Sequence, residues 1–296
     1  MGLRIRTNVQ SINSQRRLGE SIGAAGESME KLSSGYRINK SADDAAGLAI
    51  SEKMKAGIRS EKQAKRNAND GISMLQVAEG SMNEVSNILV RMRELSTQSA
   101  SDTVSNKERE YTNREYRQLV NEIDRISNTT DFNGIKLLQG QEGNEALEGE
   151  NLAIQVGKGS MVEEGANVDT IEINIEEMKF NAESLALTDS HIGPEEVDGG
   201  FARTTAAAQL DTIDTALDSV SSMRATIGAK QNRLNSTIRN LDVSIENQSA
   251  ANSRIRDVDY ASESATYTKQ NILKQGGASV LAQANALPEL ALGLLR

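Results

Sequence analysis

The residues able to do chemistry in this chain are few, and their spacing does not suit the chemistry they could do. His191 is the single histidine, set in DSHIGPEE, and Cys is absent. Neither a multi-ligand zinc site nor a cysteine nucleophile can therefore be assembled, and an HExxH helix is missing for the same reason. GKGS at 157–160 is glycine-rich but lacks the spacing with which a P-loop cradles phosphate, so it reads as a turn. DVDY (257–260) and TTDFNG (129–134) hold acidic residues without the ligand series of a calcium loop. Glu148, Glu150, Glu163, Glu164, Glu176 and Glu177 read as a solvated acidic face, and His191 as solvent-exposed. Glycosylation triplets stand at Asn128, Asn235 and Asn247, a pattern that arises often by chance. The chain is expected to be no enzyme, with no metal and no cofactor.

Composition narrows the alternatives. The 296 residues are 37% hydrophobic and 25% charged but only 3% aromatic, with no Trp. Compact cores of this size normally place large aromatics at their centres, whereas Leu, Ile, Val, Met and Ala alone suit thin helical bundles. A net charge of −9 argues against a nucleic-acid partner, because phosphate recognition needs a basic surface. The start, MGLRIRTNVQSINSQRRL, has basic residues but no apolar signal core or cleavage site. No run approaches the roughly 18–20 apolar residues of a membrane span, so a soluble chain is expected.

Helical periodicity is the main pattern, and it is long. Apolar steps of three and four run through Met54, Ile58, Ala68, Ile72, Leu75, Ala78, Met82, Val85, Leu89, Met92 and Leu95. Lys65 and the Glu61–Lys62 pair make the early part weaker. A second long helix repeats the spacing through Leu210, Ile213, Leu217, Val220, Ile227, Leu234, Ile238, Leu241, Ile245 and Ile255. Gln231, Gln248 and Asn252 fall on its seam, where polar groups set register at some cost in stability. A shorter helix carries Tyr116, Leu119, Ile123 and Ile126 on one face. The two ends have stripes of their own. Val9, Ile12, Ile22, Met29 and Leu32 lie near the start; Val258, Ala261, Ala265, Ile272, Val280, Ala284, Leu287 and Leu294 lie near the end.

Only the middle alternates with period two. LAIQV (152–156) and TIEINIEEMKF (170–180) predict a small β-hairpin, placed within about residues 139–185. The fold class expected is mainly α: a long antiparallel, coiled-coil-like helical rod with that hairpin, its N- and C-terminal helices paired. LSSGYRINKSADDAAGLAISEKM (32–54) supplies the joint between a short terminal helix and a long one. Gly35 and Asn39 give turn geometry, and Ser41 with Asp44 fits the capping-box pattern.

That joint closely resembles the N-terminal signature of bacterial flagellins. RMRELSTQSAS (91–101), NEIDRISNTTDFNGIKLL (121–138) and RDVDYASESATYTKQNILKQGGASVLAQANALPELALGLLR (256–296) extend the resemblance in order. It implies a self-assembling subunit of the extracellular flagellar filament, exported through the flagellar type III apparatus. It also implies an inner coiled-coil layer from residues 1–44 with 256–296, and a surrounding layer from 45–200 and 201–255. The outer domains that larger flagellins insert mid-chain are missing, and so is the protease motif some carry. The implied partners are further copies of the chain, an export chaperone at the C-terminus, and filament cap and hook-junction proteins. Toll-like receptor 5 is a further implied partner, meeting Arg91, Leu95 and Glu115. The implied polymerisation helices carry Val9, Ile12, Ile22, Met29, Leu32, Ile272, Val280, Leu287 and Leu294. A hook–filament junction protein, a coiled-coil adaptor and a membrane-active amphipathic protein are the alternatives; the acidic charge disfavours the last.

Overall fold

The computed structural model describes residues 7–140, 144, 151–159, 169–188, 190–193 and 202–293. Five helices carry it: α1 (Val9–Ser34), α2 (Ala45–Ser99), α3 (Asn106–Thr129), α4 (Ala202–Arg256) and α5 (Tyr260–Gly293). Two short antiparallel hairpins lie between α3 and α4: β1 (Asp131–Phe132) with β2 (Ile135–Lys136), and β3 (Leu152–Gln155) with β4 (Thr170–Ile173). The chain divides into two compact units, Arg59–Ser244 on the one hand and Met1–Ile58 with Ile245–Arg296 on the other. Among the described residues no helix is long and apolar enough to cross a membrane.

The unit Arg59–Ser244 holds the apolar core. On α2, Ala64, Ala68, Gly71, Leu75, Ala78, Met82, Val85, Leu89 and Met92 are buried in steps of three and four. They meet Ile213, Ala216, Val220, Ile227 and Leu234 of α4, and Tyr116, Val120 and Ile123 of α3. The heptad spacing thus buries one stripe of each helix. Polar pairs along the flanks run in opposite order on the two long helices: Arg93 with Asp214 (2.6 Å), Glu79 with Gln231 (3.0 Å) and Lys65 with Asp242 (2.6 Å). Within this unit α2 and α4 are therefore antiparallel.

Two seam positions depart from expectation. Ile72 is only half-buried, and the buried position is Gly71. Ile154 of β3 sits there: a Cβ on Gly71 would lie 2.3 Å from its Cδ1. The hairpin docks on α2 because that residue has no side chain. Glu61, in the stretch that the spacing marks as weak, is 4% exposed and occupies a seam position. Its Oε1 accepts from Lys158 Nζ and Ser244 Oγ, each at 3.1 Å.

Caps and turns correct other expectations. α2 starts at Ala45 and its cap is Asp44 itself, whose Oδ1 accepts from the Gly47 N–H (2.9 Å), in place of the Ser41–Asp44 box that the pattern suggests. A full capping box instead opens α3, where Ser105 and Glu108 each accept from the other's N–H. β4 ends at Ile173 and does not run on to Phe180. Asn174 Oδ1 accepts from the Glu176 N–H (3.1 Å), turning the chain into a 3-10 turn over Glu176–Met178. Within TTDFNG, Asn133 (φ 52°) and Gly134 (φ 83°) take the left-handed conformation that a two-residue hairpin requires. His191 is half-buried, not exposed, since the chain around it packs Ile192 into the core. Arg109 is buried; its guanidinium donates to the carbonyls of Ser99 and Ser101 (2.8 Å each) and so closes the end of α2.

Candidate functional site

In the unit formed by the two chain ends, α1 packs along α5. The face that α1 turns inward is Ser11, Ser14, Leu18, Ser21, Ala25, Ser28 and Leu32, again in steps of three and four, but built mostly from small residues. Ser11, Ala25 and Ser28 are buried, as is Ala284 on α5. Asn8 Nδ2 donates to the Ala284 carbonyl and Ser11 Oγ to Asn285 Oδ1, both at 2.7 Å. Leu18 reaches Gly277, where a Cβ would stand 3.4 Å from Leu18 Cδ1. Contacts of this kind let helices approach closely while burying little apolar area, so the pair is held weakly.

The large apolar residues of the two helices fall elsewhere. Val9 (62% exposed), Ile12, Ile22 and Met29 (59%) point outward from α1; Ile272 (63%), Leu273 and Val280 point outward from α5. Leu32 is half-buried on the seam. Leu287 lies on the α5 backbone with its side chain outside the described residues, as is the whole of Leu294. Gly19, Gly23 and Gly26 have nothing within 4 Å of an added Cβ, so these positions leave low, open points between the exposed apolar side chains of α1. A groove of about 770 Å³ between the helices is lined by Leu18, Ala24, Ile272, Leu273, Gly276 and Val280, among others. Unpartnered apolar faces of this extent mark an interaction surface.

A stitched joint carries the pair. α1 stops at Gly35, whose φ of 74° ends the helix in the left-handed conformation. α4 stops at Arg256. The two breaks face each other: Tyr36 and Asp257 form an isolated antiparallel bridge. The Arg37 N–H donates to the Arg256 carbonyl (2.7 Å), the Val258 N–H to the Gly35 carbonyl (3.0 Å), and Arg37 Nη2 to the Ile255 carbonyl (2.8 Å). The Arg256 guanidinium lies over the Tyr36 ring, 4.6 Å from its centre, and Nη1 is 2.5 Å from Glu52 Oε1. That contact, with Lys55 nearby, holds the Glu52 carboxyl below the usual carboxylate range. Asp43 is lowered too, by hydrogen bonds from the Lys40 and Asn39 amides (2.9 Å each). The sequence shows where both helices break but not that the breaks are joined; a Tyr and an Arg at the two break points were the available signal.

The second expected site lies on the other unit. Arg91 and Glu115 are brought together, with Nε and Nη2 at 3.0 and 2.9 Å from Glu115 Oε1, and Arg91 also reaches Glu94 at 2.9 Å. These carboxylates, Glu94 first, raise the Arg91 pKa further. Arg91 and Glu115 are about half exposed. Leu95 is 1% exposed and packs in the core, so it cannot offer an apolar anchor to a partner; it supports the helix beneath the two charges. Among the described residues no cluster of His, Cys, Asp and Glu could hold a metal ion.

Comparison with known proteins agrees along the whole chain. The family model for the bacterial flagellin N-terminal helical region matches residues 5–143, and that for the bacterial flagellin C-terminal helical region matches 210–295. A flagellin of Halalkalibacterium halodurans is 44% identical over 292 residues, covering 99% of both chains. A flagellin of Bacillus subtilis is 42% identical over 316 residues, covering 99% of this chain and 100% of that one. A putative flagellar hook-associated protein from Vibrio parahaemolyticus, at 16% identity, shares the fold with a TM-score of 0.58 over 73% of this chain and all of that chain.

Proposed function

The chain belongs to the bacterial flagellin family, and from that premise we propose that the outward faces of α1 and α5 are the surfaces its subunits bury against one another. The protein is a structural subunit of the bacterial flagellar filament. The observation that carries the proposal is the inversion in the terminal pair: small residues are buried while Val9, Ile12, Ile22, Met29, Ile272 and Val280 stand exposed. Such faces are stable only when covered, and heterologous contacts that do not close generate a helical polymer. In this reading residues 1–44 and 256–296 form the inner layer of the filament and 45–255 the layer around it. The chain travels out of the cell by flagellar type III export, with a chaperone on its C-terminal segment, and meets cap and hook-junction proteins at the filament's ends.

Seeded polymerisation, followed by electron microscopy, tests this on the full chain carrying Ile12→Ser and Ile272→Ser together. The expected result is a folded subunit that does not elongate seeds. Elongation at the parent rate would remove these faces from the interface.

A second reading concerns the Arg91–Glu115 pair. Its half-exposed charges offer donors and acceptors to a receptor of the Toll-like receptor 5 type. Arg91→Ala is expected to weaken receptor signalling by the free subunit. Leu95→Ala acts through stability alone, and signalling unchanged in Arg91→Ala sinks this assignment.

A further inference from the structure

We infer that Arg256 is a positioning residue for assembly: it pins the two helix breaks into one joint, so that α1 and α5 are presented as a pair. The inference rests on the assembly reading above and adds the residue that governs it. Three separate interactions converge on this one residue. Its carbonyl accepts from Arg37 at the bridge between the breaks. Its guanidinium covers the Tyr36 ring. Its Nη1 meets Glu52 in the first turns of α2. The Arg256 side chain is 15% exposed, whereas most other ion-pairing side chains are more than a third exposed. Its partners stay more open, Tyr36 at 41% and Glu52 at 52%, so the shielding is on the guanidinium side of both contacts.

The chemistry explains why arginine stands here. A flat guanidinium can stack on a ring with its face while its edge donates to a carboxylate; an ammonium is a compact point charge with no flat face to stack. Arg256 is also the last residue of α4, one position before the bridge partner of Tyr36. Its side chain therefore links the segment that ends α1 with the helix that follows it. Without that link the two breaks are joined by the backbone hydrogen bonds of the bridge and by the single Arg37 Nη2 bond to the Ile255 carbonyl. The weak polar seam between α1 and α5 then has to carry more of the pairing.

Two readouts on the full chain test this. The first is the critical concentration for seeded elongation. The second is chemical cross-linking of Ser11→Cys to Asn285→Cys by a short bismaleimide in the free subunit. Because the chain has no natural cysteine, the second readout reports α1–α5 pairing alone. Arg256→Met is expected to raise the critical concentration by about threefold, the scale of a lost cation–π contact at a partly exposed ring, and to lower the cross-linking yield. Arg256→Lys, which keeps the charge but not the flat stack, is expected to fall between Met and the parent. Tyr36→Phe, which keeps the ring, should match the parent. Parent-like cross-linking and elongation by Arg256→Met overturn the inference. So does an Arg256→Lys variant that behaves like the parent. If the cross-link responds as expected while the parent itself fails to elongate, the joint stands and the assembly reading falls.

Discussion

The two compact units use the same heptad spacing for opposite ends. In Arg59–Ser244 the seam positions hold Leu75, Met82, Val85, Leu89 and Met92, all fully buried, and the flanks are charged. In the unit made by the chain ends the seam positions hold Ser11, Ser14, Ser21, Ala25 and Ser28, and the large apolar residues look outward. One unit is complete as a folded object. The other has its strongest hydrophobic surface on the wrong side for a monomer. The difference teaches that periodicity specifies where a helix touches its neighbour, while residue size at those positions specifies whether the contact is final.

That contrast can be broken most severely at the core. Met82→Ala or Leu89→Ala is expected to cost about 2–5 kcal/mol, read as a fall in the melting temperature of the free subunit. Ile12→Ala and Ile272→Ala should change the same melt by about 0.5 kcal/mol or less, although they abolish seeded elongation. A large melting shift from the α1 or α5 substitutions would mean that those faces are already covered in the monomer. Next in size is the docking of the β3–β4 hairpin. Gly71→Val drives a side chain into Ile154 and is expected to cost about 1–3 kcal/mol, with faster amide exchange across 152–155 and 170–173. Removing the α3 cap by Ser105→Ala should cost about 1 kcal/mol by the same melt.

A smaller effect carries an opposite sign in the two assays. Gly23→Ala meets no atom in the free subunit and is expected to strengthen α1 by up to about 1 kcal/mol through helix propensity. It should nevertheless slow elongation, because it roughens a face that a neighbouring subunit approaches. The smallest effect is that of pH on the joint. Asp43 and Glu52 have lowered pKa values in the folded chain, so their stabilisation is present above the ordinary carboxylate range and is lost as pH falls through their folded values. Amide exchange of Arg37, Asn39 and Lys40 should therefore rise on acidification below about pH 4, before that of the α2–α4 core. Joint and core loosening at one pH would show that these carboxylates do not hold the joint separately.

Much of this was legible in the sequence, because Leu and Met in steps of three and four leave little choice about the long helices. The terminal stripes were legible as composition but not as orientation. Val9, Ile12, Ile22 and Met29 look like a seam until the serines between them are seen to keep a more regular three–four spacing of their own. Gly71 was hidden because a glycine gives no apolar signal, and its burial depends on Ile154 arriving from a distant segment. The start of α2 at Ala45 is legible, but its cap is easily misread, because Ser41 and Asp44 satisfy a local pattern whereas Asp44 alone sits where the helix amides point. Arg256 could not be assigned from its neighbours at all, since each group it touches through its side chain lies more than two hundred positions earlier.

Glu61 has a consequence for how the long helices find one alignment. A ladder whose rungs recur every seven residues is almost as well satisfied after sliding by one repeat, and small rungs such as Ala64, Ala68 and Ala78 discriminate poorly between neighbouring alignments. A carboxylate set among them removes that degeneracy. Only one alignment of α4 brings Ser244 to the carboxylate beside Lys158; in the others an apolar or mismatched neighbour faces a buried charge in its place, at a cost that an extra methyl contact does not repay. The same charge that weakens the stripe thereby makes the correct pairing the only inexpensive one.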